Sequence, residues 1–446
     1  MQMVITPHRF SRLLRVPASK SHTIRRLLMA ALGEGVSELF YPLDSLDARS
    51  CVAVCRALGA EIAEERSADS LCANPPDGEG ARLRRWTVRG IGAGNNKGAF
   101  PARSCDVGNS GTTLFLALAA AALGTSPVTF TGDEQIARRG AGPLLDALAG
   151  LGATVSSENG CTPITVEGPW RGGRVDLPCP TSQYLSALLL AAPLAPAGTL
   201  TEIDVPLLNE KPYIELTLSY LTAQDIPYEG KEDFSFFRIP GGGRYRPLNG
   251  PVPGDFSSAA FPAAAAAITG GPVSLLGLDP GDPQGDKAFF DMLSCMGCTI
   301  TWTKEPPENG WLLTVSRNGP LRGGTFDLNA TPDLLPALAA VASYAEGTTA
   351  LVNVAHARIK ETDRIAVMAR ELGRLGVLCE EAPDGLVVRG TGAPLTGGVV
   401  DGRGDHRVVM ALATAALGAA GPVEIAGAES AAVTYPGFWE LLGTEN

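Results

Sequence analysis

Positive charge is scarce in this chain. Its 446 residues carry 36 lysines and arginines against 47 aspartates and glutamates, a net charge of −11. Nucleic acids and acidic membrane surfaces both need a basic field, so neither is an expected partner. A small anionic substrate is compatible with that balance, because a local basic cluster can prevail inside a cleft. A disulfide framework is also missing. The nine cysteines are odd in number and scattered, and they read as reduced, mostly buried thiols of a cytoplasmic protein. The one C-x-x-C, Cys295-Met296-Gly297-Cys298, has no second pair at zinc-ribbon distance and sits where a helix should turn into a strand. Packing is its expected role. Long apolar runs are absent too: the opening MQMVITPHRF holds no signal core, and Gly and Pro break the alanine-rich stretches short of membrane length. A cytoplasmic location follows as the expectation.

What is present is apolar bulk and a repeat. Hydrophobic residues make up 45% and charged residues 19%, enough for large cores, and the length suggests two or three domains. Six times a short polar loop runs into an alanine-rich stretch: Ser19-Lys20-Ser21, Gly108-Asn109-Ser110-Gly111-Thr112, Thr181-Ser182-Gln183-Tyr184, Gly254-Asp255-Phe256-Ser257-Ser258, Thr331-Pro332-Asp333 and Gly404-Asp405-His406-Arg407. Their central residues, 20, 109, 183, 257, 333 and 406, are 89, 74, 74, 76 and 73 apart. A near-constant period marks a repeated supersecondary unit. Each unit should place its polar residues at the N-terminus of a buried helix, where free N–H groups and about half a positive charge favour anions.

A second amphipathic stretch recurs in most units, ending in a Leu-Gly-type turn before a β-like run. Examples are 51–59 before AEIAEE, 143–152 before ATVSS, 287–297 before CTITWT and 362–376 before VLCEE. The third unit has Gln224-Asp225-Ile226 there instead. TLTEIDV, PVSLLGL, TALVNVA and PVEIAG supply further strands. Each unit therefore reads strand–helix–strand–helix–strand–strand over about 75 residues, and the class is α/β. The wide first spacing is explained by an insertion at 66–102, with Pro75-Pro76-Asp77-Gly78 and Gly92-Ala93-Gly94-Asn95-Asn96 as expected exposed loops. The Gly/Pro-rich 240–253 is the natural domain crossing.

The segments PASKSHTIRRLLMAALGEG, GNSGTT, TGDEQIARR, TSQYLSALLLAAPLA, KPYIELTL, GDFSSA, TPDLLPALAAVA, KETDRIAVMARELGRLG, DHRVVMALATAAL and YPGFWELL occur in this order. Together they resemble the 3-phosphoshikimate 1-carboxyvinyltransferase (EPSP synthase) family, the glyphosate-targeted enzymes of the shikimate pathway. The resemblance spans nearly the whole chain. It implies a two-domain inside-out α/β barrel, each domain of three βαβαββ repeats, closing over substrates in a cleft. The domains would be 20–245 and 1–19 plus 246–446, with Lys20 at the hinge. The implied reaction moves the enolpyruvyl group of phosphoenolpyruvate to the 5-hydroxyl of shikimate 3-phosphate and releases phosphate. No metal or organic cofactor is expected, and a monomer is.

The resemblance also implies roles. Lys20, Ser21, Arg25, Thr181, Ser182, Gln183, Tyr213, Asp333 and Lys360 would hold shikimate 3-phosphate. Lys20, Asn109, Gly111, Arg139 (or Arg138), Gln183, Arg364 and Arg407 would hold phosphoenolpyruvate. Asp333 would take the proton of the 5-hydroxyl, Glu361 would protonate the methylene carbon, and Lys20 would bridge the substrates. Bland readings exist for several: Thr181 and Ser182 as helix caps, Asp333 and Glu361 as acids favoured at a helix start. Arg26 is expected to face solvent, and Asp255 to cap a helix. Burying several substrate anions requires cations and N–H donors, and both types of group are clustered in these loops.

The chain departs from the family pattern at several places. Phe115 stands where a cation is usual after GNxGT, and Val433 where lysine is common. Glu210 replaces a serine of some members, His356 an asparagine, and Gly140 the proline after the arginine of 131–139. Loss of a cation at Val433 predicts weaker phosphoenolpyruvate binding and an altered glyphosate response, with Arg403, Arg138 and His22 as candidates to compensate. The related UDP-N-acetylglucosamine enolpyruvyl transferases rely on a cysteine in the loop at 131–139, and TGDEQIARR has none. A diverged homologue with weak or altered transfer, binding a related phosphorylated ligand, is the alternative.

Overall fold

The computed structural model describes residues 1–67, 82–93, 100–101, 103–305 and 310–443. The loops at 75–78 and 94–96 lie outside that set. The described chain forms two compact units, one of residues 20–252 and one of residues 1–19 with 253–443.

In the first unit the principal helices are α1 (Lys20–Leu32), α2 (Gly111–Ala121), α3 (Ser182–Ala191) and α4 (Lys211–Ala223). Every residue of α2 is buried, as are all but Gln183 in α3. An α-helix apolar on all sides must lie inside the fold. It has no polar face, so its polar groups are confined to its ends. Three four-stranded sheets belong to this unit. Their orders are Asn249–Pro251, Val36–Phe40, Arg82–Arg89, Glu61–Ser67; then Ser104–Asp106, Val128–Thr131, Cys161–Glu167, Thr154–Glu158; then Gly173–Asp176, Leu200–Asp204, Phe236–Pro240, Glu229–Gly230. Each has one parallel pair followed by two antiparallel pairs. Residues 249–251 thus supply the first strand of the first repeat.

The second unit repeats the scheme around α5 (Phe256–Thr269), α6 (Leu335–Ala342), α7 (Arg364–Arg374) and α8 (His406–Ala416), with α6 and α8 buried throughout. Arg12–Arg15 runs parallel to Val273–Leu278 and opens the fourth repeat. Gln2–Ile5 pairs antiparallel with Val423–Ala426 in a three-stranded sheet that closes the sixth.

All six polar loops stand at the start of a buried helix, the fifth through a 3₁₀ turn at Pro332–Leu334. The turns that end the outer helices carry Gly59, Gly152, Gly297 and Gly376 at φ between 89° and 109°. Such values suit glycine because a Cβ would crowd the backbone. In the third repeat Asp225 fills the turn at φ 55°, a left-handed conformation that aspartate tolerates better than most residues. Cys298 is buried and Cys295 is exposed at a helix end. No helix among the described residues is long and apolar enough to cross a membrane.

Candidate functional site

The candidate residues form two clusters, one on each unit. In the first unit Lys20 begins α1, and its Nζ lies 3.0 Å from Asp47 Oδ2. One turn on, Arg25 is 1% exposed. Its four hydrogen bonds go to Thr217 Oγ1 (2.9 Å), Ser186 Oγ (3.1 Å) and the carbonyls of Ser21 (3.2 Å) and Tyr213 (3.5 Å). All four acceptors are neutral. Burial lowers the Arg25 pKa to about 10, with Tyr220, Tyr213 and Glu210 opposing that shift. Ser21 and Tyr213 are half-buried beside it.

Arg26 does not face solvent. It is 8% exposed and donates to the carbonyls of Pro251 (2.5 Å), Asn249 (3.2 Å) and Gly250 (3.2 Å). The edge strand at 249–251 covers that side of α1, and the arginine satisfies carbonyls there that an edge would otherwise leave open.

At the start of α3, Thr181 caps the helix by accepting from Gln183 N. The carboxylate of Glu210 sits on the same terminus. Its Oε2 accepts from Ser182 N (3.0 Å), Ser182 Oγ (2.8 Å) and Thr181 Oγ1 (3.2 Å). Gln183 Oε1 is buried with no partner among the described residues.

Ser110 caps α2, accepting from Thr113 N. Asn109 Nδ2 donates to Asp133 Oδ2 (2.5 Å) and Gln135 Oε1 (2.8 Å), so its amide nitrogen fastens the loop at 131–139. Arg139 Nη1 occupies the space a Cβ on Gly111 would fill, so glycine there admits the guanidinium to the helix start. Arg138 is exposed and pairs with Glu134, and His22 Nδ1 bonds the Tyr220 hydroxyl. Phe115 leaves no gap in this packing: it is 4% exposed, with its ring edge-on to Tyr184 at 5.0 Å. Interior α2 positions face core, and an aromatic ring satisfies that environment.

In the second unit the centre is Arg364, 1% exposed and bonded to three carboxylates: Asp333 (2.7 Å), Glu361 (2.6 Å) and Asp405 (2.8 Å). Burial works against its charge, but Asp405, Glu361 and Asp333 prevail and raise its pKa well above the usual value. Asp333 also accepts from Arg407 Nη2 at 2.8 Å. Burial alone would raise the Asp333 pKa, yet Arg407, Arg364 and Lys360 together hold it far below the usual carboxylate range. Asp405 caps α8 through Arg407 N (2.9 Å) and takes Thr362 Oγ1 at 3.1 Å. His356 Nε2 donates to the Asn329 carbonyl (3.1 Å), tying its 3₁₀ turn to the loop before Asp333. Asp255 caps α5 as expected, bonding Ser258 N and Oγ. Val433 is half-buried at the end of a 3₁₀ segment, and Arg403 pairs with Asp401.

Sequence reasoning did not find Asp405, Asp286 or the placement of the Glu210 carboxylate. Asp405 had a signal, an aspartate immediately before a helix. Asp286 is 1% exposed and bonds Ser257 Oγ; burial and the nearby Asp333 push its pKa up to about 7.

Helices buried on every side, with polar and ionic groups gathered at their N-termini and four-stranded sheets in each unit, define an α/β protein of repeated units. Comparison gives the particular family. The sequence profile of EPSP synthase (3-phosphoshikimate 1-carboxyvinyltransferase) matches residues 4–442. The 3-phosphoshikimate 1-carboxyvinyltransferase of Acetivibrio thermocellus is 46% identical over 431 residues, 96% of this chain and 94% of the relative. That of Halobacterium salinarum strain R1 is 41% identical over 450 residues, covering 99% and 98%. The solved EPSP synthase of Acinetobacter baumannii is similar in fold, with a TM-score of 0.78 at 28% identity, covering 99% of this chain and 97% of that one. The chain belongs to the EPSP synthase family.

Proposed function

We propose that this chain transfers the enolpyruvyl group of phosphoenolpyruvate to the 5-hydroxyl of shikimate 3-phosphate, in the shikimate pathway, and releases phosphate. The observation that carries the roles is Asp333 held between Arg364 and Arg407, with Glu361 on the same arginine. Asp333 takes the hydroxyl proton as the oxygen attacks C2 of phosphoenolpyruvate. Glu361 takes up a proton as the substrates' negative charge weakens its pairing with Arg364, and gives that proton to the methylene carbon, so positive charge develops at C2 where the new bond forms. The tetrahedral adduct then returns a methyl proton to the Glu361 carboxylate and expels phosphate, which carries away the proton Asp333 took, and the vinyl ether remains. Arg364, Arg407, Arg139 and Lys20 hold phosphoenolpyruvate, with the loop fastened by Asn109 and the approach opened by Gly111. Arg25, Ser21, Thr181, Ser182, Gln183, Tyr213 and Lys360 hold shikimate 3-phosphate.

Two arginines beside Asp333 keep it ionised but make it a weak base. They are also the residues assigned to phosphoenolpyruvate. Negative charge arriving with that substrate offsets theirs, so the base strengthens only when its reaction partner is bound. The enzyme acts as a monomer on small molecules in the cytoplasm.

Phosphate release from the two substrates is the test. The wild-type protein should release phosphate, and Asp333→Ala and Glu361→Gln should each lower kcat about 10²–10⁴-fold, the usual contribution of a positioned acid or base. Release that survives in both variants removes the role assignments. With valine at position 433, the KM for phosphoenolpyruvate should fall on Val433→Lys, by about tenfold for one charged hydrogen bond gained.

A further inference from the structure

The three donors at the start of α3 already hold an anion. Ser182 N, Ser182 Oγ and Thr181 Oγ1 all converge on Oε2 of Glu210. Glu210 is 2% exposed and adopts a left-handed backbone, φ 59° and ψ 42°, one residue before α4. That conformation is costly for a side chain of its shape, so the surrounding contacts must hold it. A second observation points the same way. Arg25, buried with only neutral hydrogen-bond acceptors, has Glu210 as the one carboxylate among the groups that offset its burial. The Glu210 carboxylate therefore supplies the negative charge that this basic, N–H-rich pocket favours.

We propose that Glu210 is a resident anion of the pocket and competes with the phosphate of the ring substrate, so that shikimate 3-phosphate binds by displacing a carboxylate. The inference rests on the substrate assignment above. One oxygen cannot yield its donors to a phosphate while keeping all three, and two anions cannot share them without repulsion. Displacement makes binding weaker than the donor set alone would allow and makes the penalty specific to the phosphorylated ligand. Glu210 is a specificity-determining residue on this reading and takes no part in the chemistry.

Calorimetric titration of the whole protein with shikimate 3-phosphate and with shikimate tests it. Glu210→Ser and Glu210→Asn both remove the charge, and asparagine tolerates the left-handed backbone. Each should bind shikimate 3-phosphate about tenfold more tightly than wild type, leave shikimate affinity unchanged, and be inhibited by lower concentrations of inorganic phosphate. Affinity for shikimate 3-phosphate that stays the same or weakens in the folded variants overturns the proposal, as does an equal gain for shikimate. A wild-type protein that binds shikimate 3-phosphate but releases no phosphate with phosphoenolpyruvate would instead defeat the activity, leaving the displacement intact.

Discussion

Arg25 and Arg364 are equally buried, each 1% exposed, and electrostatically opposite. Arg25 bonds hydroxyls and carbonyls, and burial pulls its pKa down to about 10. Arg364 is ringed by Asp333, Glu361 and Asp405, and its pKa goes up. A charge taken out of water needs an opposite charge or a full set of dipoles. The first unit gives the guanidinium only dipoles to bond, and keeps its carboxylate, Glu210, on the donors at the start of α3. The second supplies anions of its own, two of which are the proposed acid and base.

The largest expected effect comes from breaking the second arrangement. Arg364→Met takes the ion-pair partner from the fully buried Asp405, leaving it only the helix N–H groups and Thr362, and leaves Glu361 and Asp333 with fewer partners. Removing one partner of a buried ionic network costs about 3–5 kcal/mol. Denaturant unfolding should show a loss of that size, with phosphate release abolished. A variant as stable as wild type would mean the three carboxylates do not depend on this arginine.

A smaller effect isolates the acidic surplus of the same unit. The Asp286 carboxyl is held up to about 7 first by burial and then by Asp333. Below about pH 3 the group is protonated whether folded or unfolded, and it costs nothing. Between pH 4 and 7 the folded form keeps a proton that the unfolded chain has lost, so stability falls as pH rises, and above pH 7 the cost is constant. Asp286→Asn removes that cost. Its stability advantage over wild type should grow from about 1 kcal/mol at pH 4.5 to about 4 kcal/mol at pH 8. A gap that does not change with pH would place the shift elsewhere.

How much of this contrast could be read from the chain divides along a physical line. Alanine-rich stretches with polar residues only at their starts can bury on every side, so the six inward helices were legible, as were the glycine turns between outer helices and strands. Asp333, Glu361, Arg364 and Arg407 were legible as charged residues at helix starts. What was not legible depends on partners distant in sequence. Arg26 reads as solvent-facing until the strand at 249–251 covers it. Phe115 reads as a lost cation until Tyr184 is found against its ring. Glu210 stands 28 and 29 residues from the donors it satisfies, and its left-handed backbone has no sequence signature, since glutamate is not a residue that favours it.

The sharpest test of the comparison has the smallest effect on stability. Arg25→Met keeps the length of the side chain and removes its charge. The hydroxyls left behind are not orphaned, because Ser186 Oγ lies 3.0 Å from Thr217 Oγ1, which also donates to the Tyr213 carbonyl at 2.8 Å. Among the described residues no carboxylate hydrogen-bonds to this guanidinium, and Glu210 nearby keeps its own donors at Ser182 and Thr181 when it goes. Replacing a buried charge by a well-packed apolar chain is often neutral or stabilising. The midpoint of thermal unfolding should therefore stay near that of wild type or rise. Binding of shikimate 3-phosphate should weaken by about 10–100-fold, the worth of one to two charged hydrogen bonds. If Arg25→Met instead melts as early as Arg364→Met, both arginines hold the fold, and the distinction between a cation awaiting a substrate and one already neutralised fails.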